Sequence, residues 1–232
     1  MIRPAALVLA AVLPLAAQDG AALLAQVDQL RHPFPAFSVD LELRDGEASQ
    51  RWRLAARDNG DARLDGLSER EAGRSILVLG DQLWLKVPGS RRALRVTPQQ
   101  RLMGPAAAGD AARTRFQDDY RVEALAEDAL EGRPCWRLDL AARSPATSAR
   151  RVQLWVAREP VAPLKADFFL ASGKLARTAT FGPPAEALGR PVLARMTVTE
   201  ASGAQVELRF SRWSRAGAER ERFVLPDGVP PR

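Results

Sequence analysis

Between Gly132 and Phe181, apolar and polar side chains alternate in four successive runs. Over residues 134–140, Trp136, Leu138 and Leu140 alternate with Cys135, Arg137 and Asp139. Over 151–156, Val152, Leu154 and Val156 alternate with Arg151, Gln153 and Trp155. Over 164–170, Leu164, Ala166, Phe168 and Leu170 form one row. After the turn Ala171-Ser172-Gly173, Leu175, Arg177, Ala179 and Phe181 form the next. A period of two places one apolar row on one face of a pleated sheet. Short links rich in Gly, Pro and Ser make neighbouring strands antiparallel hairpins. Such a sheet turns one face toward a core or a ligand and the other toward water.

The same pattern extends to both sides. Upstream, residues 21–30 carry Leu23, Leu24, Val27 and Leu30 at helical spacing, which gives one apolar stripe. Asp19 is placed to cap this helix, and Pro33 and Pro35 end it. The helix is expected to lie on the sheet, stripe down. Strands follow at 37–44 and 48–57 around Asp45-Gly46, then at 61–67, 74–79 and 82–87. Residues 91–119 break the alternation with Pro98, Gly104, Pro105 and an alanine run at 106–108 that could turn once as helix. Loops of this length in a compact domain are usually functional or disordered. Residues 120–125 fit strand or helix equally. Residues 185–189 read as a linker, 192–200 and 205–213 as a hairpin, 219–225 as strand or coil, and 226–232 as a tail. The expected fold is mainly β with a few helices, about ten or eleven antiparallel strands, a range in which sheets curl. A curled sheet under a helix either fills its concave face or encloses an apolar ligand there.

The start of the chain adds a location. Arg3, an apolar run over 5–15 and Leu15-Ala16-Ala17 ahead of Gln18 have the layout of a secretory leader over residues 1–17. The run is shorter than the ~20 residues that span a bilayer, and no cysteine follows it for lipid attachment. Residues 18–232 are then expected as a single exported domain.

Charge and chemistry narrow the function mostly by what is missing. Of the 34 basic residues, 31 are Arg, and the formal net charge is +6. The charges are scattered rather than blocked, so no nucleic-acid arm is visible. One Cys and one His exclude an internal disulfide and the usual zinc sites. Cys135, beside Trp136 in a strand, reads as a packed thiol. His32 sits at a helix end, where a cation is favourable. Asp118-Asp119 reads as a solvated or helix-capping pair rather than an acid–base site. There is no phosphate loop and no Gly-x-Ser-x-Gly elbow. The sequence therefore predicts no catalytic residue, no metal and no cofactor.

Several strings, taken together, carry a resemblance. They are Leu83-Trp84-Leu85-Lys86-Val87-Pro88, the run Arg91-Arg92-Ala93-Leu94-Arg95-Val96, Arg101-Leu102-Met103-Gly104 and Asp118-Asp119-Tyr120. Further on stand Gly132-Arg133-Pro134-Cys135-Trp136-Arg137-Leu138, Val152-Gln153-Leu154-Trp155-Val156, Pro163-Leu164-Lys165 and Ser172-Gly173-Lys174-Leu175. In order and spacing the chain resembles the bacterial outer-membrane lipoprotein-sorting family, the LolA-like group. Ala149 stands where that family commonly has an aromatic, and Pro105 with alanines follows Met103-Gly104 in place of a polar loop.

The resemblance implies an unclosed, half-barrel antiparallel sheet with a helical lid. It implies a periplasmic carrier for acyl chains of lipoproteins or other lipids, with a membrane transporter as a further partner. A monomer without nucleic acid or membrane-spanning segments is expected. The alternative is an envelope sensor or adaptor on the same fold, binding a partner protein or an anionic glycolipid without catalysis. The candidate trough residues, drawn from the apolar rows, are Val39, Leu41, Trp52, Leu54, Trp84, Trp136, Leu138, Leu154 and Phe168. Leu23, Leu24 and Val27 are the candidate underside of the lid.

Overall fold

The computed structural model describes residues 19–80, 82–90, 92–97 and 114–224. The leader at 1–17, the alanine run at 106–108, the Met103-Gly104 string and the tail at 226–232 lie outside the described residues. Helix α1 (Gly20–Arg31) starts where the Asp19 carboxylate accepts from the Ala21 amide at 2.9 Å. It stops at His32, whose amide donates to the Asp28 carbonyl at 2.7 Å. Pro33 and Pro35 then carry the chain into β1 (Ala36–Asp45).

The strands follow in a meander. After β2 (Ala48–Arg57), β3 (Ala62–Gly66), β4 (Ser75–Leu79), β5 (Gln82–Lys86) and β6 (Leu94–Val96), a single turn of helix, α2 (Phe116–Asp119), leads into β7 (Tyr120–Leu130). Next come β8 (Arg133–Ala142), β9 (Arg151–Ala157), β10 (Ala162–Phe169), β11 (Leu175–Phe181), β12 (Pro184–Ala187), β13 (Arg190–Leu193), β14 (Arg195–Glu200) and β15 (Gln205–Ser214). Thirteen of them form one antiparallel sheet in the order β6-β5-β4-β3-β2-β1-β15-β14-β11-β10-β9-β8-β7. β15 returns to pair with β1, so the first and last strands meet in the middle of the sheet. β6 and β7 are its two edges, and the sheet does not close into a barrel.

The strand total exceeds the sequence expectation for identifiable reasons. β6 lies inside the stretch read as loop, and β12 with β13 forms a small hairpin where a linker was expected. Its turn, Leu188-Gly189, has φ of +53° and +75°. A two-residue turn with both φ positive matches the twist of the flanking strands. Residues 120–130 are strand throughout, and a bulge between Val122 and Ala124 obscures their alternation. Of the stretch 219–225, the described residues 219–224 hold a short 3-10 turn at Arg220–Arg222 rather than a strand.

Candidate functional site

The apolar rows converge on one side of the sheet. Phe37, Val39, Leu41 and Leu43 come from β1, and Trp52, Leu54 and Ala56 from β2. Leu138 and Leu140 come from β8, Val152, Leu154 and Val156 from β9, and Ala166 and Phe168 from β10. The other side carries charge ladders. Asp40 accepts from Arg53 at 2.7 Å and pairs with Arg212. Asp167 accepts from Lys165 at 2.8 Å and from the Thr178 hydroxyl at 2.6 Å. The Arg53, Arg212 and Lys165 side chains reach toward solvent over carboxylates that are themselves buried.

α1 is seated on the apolar side. It packs against α2, β7, β10 and β13. Leu23, Leu24 and Val27 are at most 2% exposed and belong to the same cluster as the sheet residues. Leu54, Leu138, Leu154 and Phe168 are equally buried. α1 and these sheet side chains therefore pack into one buried cluster. The helix start touches the edge of the sheet, since a Cβ on Gly20 would lie 3.0 Å from a Val122 methyl.

Eight of the nine residues expected to line the trough share this face: Val39, Leu41, Trp52, Leu54, Trp136, Leu138, Leu154 and Phe168. Trp136 is half-buried at the rim, with the Arg158 guanidinium 4.3 Å from its ring centre. Trp84 is the exception. It packs with Leu77 and Phe223 in a second, small cluster on the outer side. Leu83, 1% exposed, holds the inward position, and a period of two sends its neighbour outward.

Polar groups tie the lid down. Asp28 accepts from the Phe116 amide at 3.0 Å and the Gln117 amide at 2.8 Å, so a carboxylate of α1 caps α2. Arg31 donates to the Thr114 carbonyl at 2.6 Å and lies 3.9 Å from Asp28. The His32 ring nitrogen Nε2 is 3.3 Å from the same carbonyl. Burial pushes the Asp28 carboxyl up to about 6, against the opposing pull of Arg31, the two amides and Arg115. From the hairpin, Arg190 donates to the Pro33 carbonyl at 2.9 Å. Arg190 and Arg215 also stand over the Phe34 ring at 5.4 and 4.7 Å.

Asp28, Arg31 and Arg177 are charged groups that the sequence reading did not single out. The signal was present. Leu24, Val27, Asp28 and Arg31 continue one helical stripe, and Arg177 stands in an otherwise apolar strand row.

The remaining candidates are structural. Burial pushes the Cys135 thiol up, and it is fully buried. Asp119 accepts from the Arg115 amide at 3.2 Å as a capping group. Among the described residues, no group of three or more His, Cys, Asp or Glu could hold a metal, and no helix is long and apolar enough to cross a membrane. An outer-face cleft of about 480 Å³ is lined by Asp139, Arg151, Gln153 and Phe169, away from the apolar trough.

A family model described as that of an uncharacterized protein matches residues 67–219. A LolA superfamily protein from Nitrosomonas europaea is 25% identical, with a TM-score of 0.76 over 88% of this chain and 96% of its own. The chain belongs to that family and to the LolA-like group. Two more distant structures share the LolA-like fold. One is an outer membrane lipoprotein-sorting protein domain from Vibrio parahaemolyticus, 18% identical, with a TM-score of 0.66 over 86% of this chain and 94% of that one. The other is a DUF1329 family protein from Desulfovibrio piger, 16% identical, with a TM-score of 0.68 over 88% and 97%. No curated protein matches this LolA-like chain in sequence.

Proposed function

We propose that this protein is an exported periplasmic carrier, with residues 1–17 as its leader, that shields the acyl chain of a lipid or lipoprotein in the trough under α1. One observation carries the reading: Leu23, Leu24 and Val27 of a short helix fill the apolar face of a sheet that stops short of closing. A tail in water costs about 0.8 kcal/mol per exposed CH₂. If α1 swings away, a tail takes its place on the same side chains, and the helix seals the trough again after release. This exchange needs no catalysis, only a roof that lifts. The 25% identity to a LolA superfamily protein over nearly both whole chains supports it.

Mature protein purified from the cell envelope and extracted with organic solvent should yield lipid at a stoichiometric level by mass spectrometry. Delipidated protein should take up a fluorescent fatty acid. Leu154→Glu, on the trough floor, should reduce that uptake at least tenfold. Trp84→Ala, on the outer face, should leave it unchanged. Protein that is free of lipid as purified and takes up no probe would overturn the carrier reading.

A further inference from the structure

We infer that the β12–β13 hairpin docks the protein on an anionic lipid surface, with Leu188 entering the interface and Arg190 and Arg215 meeting lipid phosphates. The inference goes beyond the carrier reading and does not depend on it. β12 and β13 form a two-stranded sheet of their own, apart from the large one. The root of the hairpin is anchored, with Val192 1% and Leu193 4% exposed. Its tip is not, for Leu188 at the turn is 48% exposed. A single exposed leucine is ordinary on a protein surface. This one is also held at φ +53°, a left-handed conformation that suits Gly or Asn and strains a leucine. That strain serves no core packing, because Leu188 belongs to neither apolar cluster.

Beside the tip stands positive charge. Arg190, opposite Ala187 in the hairpin, donates to the Pro33 carbonyl at 2.9 Å and lies 5.4 Å from the centre of the Phe34 ring. Arg215 stands over the same ring at 4.7 Å. Two guanidinium groups thus converge on one phenyl ring, and among the described residues neither forms an ion pair. Glu186, the acid of the hairpin, is paired across the strands with Pro191 instead. Arg190 also walls a groove of about 200 Å³ beside α1, and the other walls, among them Gln26, Gln29, Pro33 and Val161, carry no charge. Its guanidinium spends one N–H on the Pro33 carbonyl and keeps the others for a phosphate, which it meets with paired donors. An anionic membrane fits this arrangement better than a protein does. A stable protein interface needs about 1,000 Å² of well-packed contact, and here the apolar contact is one leucine on a narrow tip. At a membrane a short apolar wedge suffices when cations beside it meet the surface charge. Docking places the Pro33–Phe34 hinge of α1 at the lipid surface, because Arg190 touches both residues.

The test mixes the mature chain with vesicles of phosphatidylglycerol and phosphatidylcholine in equal parts, or of phosphatidylcholine alone, and measures binding by flotation. The anionic vesicles should bind at least tenfold more tightly at low salt, with the advantage falling as salt rises. Leu188→Gly should weaken binding at least fivefold. Glycine accepts a positive φ without strain, so a misfolded hairpin does not account for that loss. Arg190→Gln with Arg215→Gln should weaken it at least tenfold. Arg44→Gln with Arg209→Gln removes the same charge at the opposite end of β1 from Phe34, and should change binding less than twofold. An environment-sensitive fluorophore on Leu188→Cys should brighten with anionic vesicles. The same label on Leu175→Cys, at another exposed leucine, should not. Absence of binding to anionic vesicles overturns the inference. So does an equal loss in both arginine pairs, which leaves the net charge of the chain as the only cause. A label at position 188 that stays dark on bound vesicles, or full binding by Leu188→Gly, also overturns it and leaves the tip to a protein partner. None of these results bears on fatty-acid uptake, so the carrier reading stands or falls separately.

Discussion

Oxidising the double variant Gly20→Cys with Val122→Cys should abolish fatty-acid uptake, and reduction should restore it. A Cβ placed on Gly20 lies 3.6 Å from the Cβ of Val122, within the roughly 3.5–4.5 Å that disulfides span. The new cysteine at 122 removes the methyl groups that would otherwise crowd it. The native Cys135 is fully buried and a poor competitor for oxidation. The lock acts where movement has to begin. At its C-terminal end α1 is continuous with β1 through Pro33–Pro35, and Arg190 holds the Pro33 carbonyl. The lid can then swing only by lifting its start away from β7. A crosslink there pins the roof at both ends without adding bulk to the trough. Oxidised protein should lose at least nine-tenths of uptake, and a thiol reductant should return it to within about twofold of wild type. Full uptake by the oxidised protein would mean that tails enter by another route and that α1 is not the lid.

Which face each strand presents was largely legible, because a two-residue period leaves little choice once one row is apolar. It held for β1, β2 and β8 to β11, which supply most of the trough. It failed where the backbone breaks the period. In β7 the bulge puts Val122 and Leu125, three residues apart, on the same face, opposite Leu140 and Leu138. That spacing fits neither a strand nor a helix. In β15, Arg212 at φ +51° marks a similar break, and Phe210 and Trp213 stack at 6.3 Å. Trp84 was drawn into the trough list with the apolar rows, although its alternation with Leu83 pointed outward and it packs in the outer cluster. The β12–β13 hairpin carries Leu-Gly at its turn rather than Asn-Gly, and so lacked the usual signal. How full the trough is could not be read from periodicity. The same rows serve a packed core or a cavity, and the period alone does not decide between them.

Lowering the pH from 7.5 to 5 should close the lid more tightly, by about tenfold in the closing equilibrium. The intuition that protonating a latch releases it has the wrong sign here. Burial raises the Asp28 carboxyl from the ordinary carboxylate range to about 6 when the lid is down. A carboxyl exposed by opening would return toward the ordinary value. The closed form therefore binds the proton more tightly, and proton uptake favours closure. The gain begins as pH falls through about 6 and is complete below about 4, reaching at most about 3 kcal/mol. At pH 5 it is about 1.4 kcal/mol, a tenfold change. In the ionised form, the two amides at 3.0 and 2.8 Å, Arg31 at 3.9 Å and the more distant Arg115 offset only part of the burial cost. The uptake rate of a neutral parinaric ester, which does not itself titrate, should fall about tenfold from pH 7.5 to 5. Asp28→Asn should flatten that profile. His32, 3.3 Å from the Thr114 carbonyl in the same junction, is present in both proteins, so the difference between their profiles belongs to residue 28. A profile as steep in Asp28→Asn as in the wild type, or uptake that quickens at pH 5, would remove Asp28 from control of the lid.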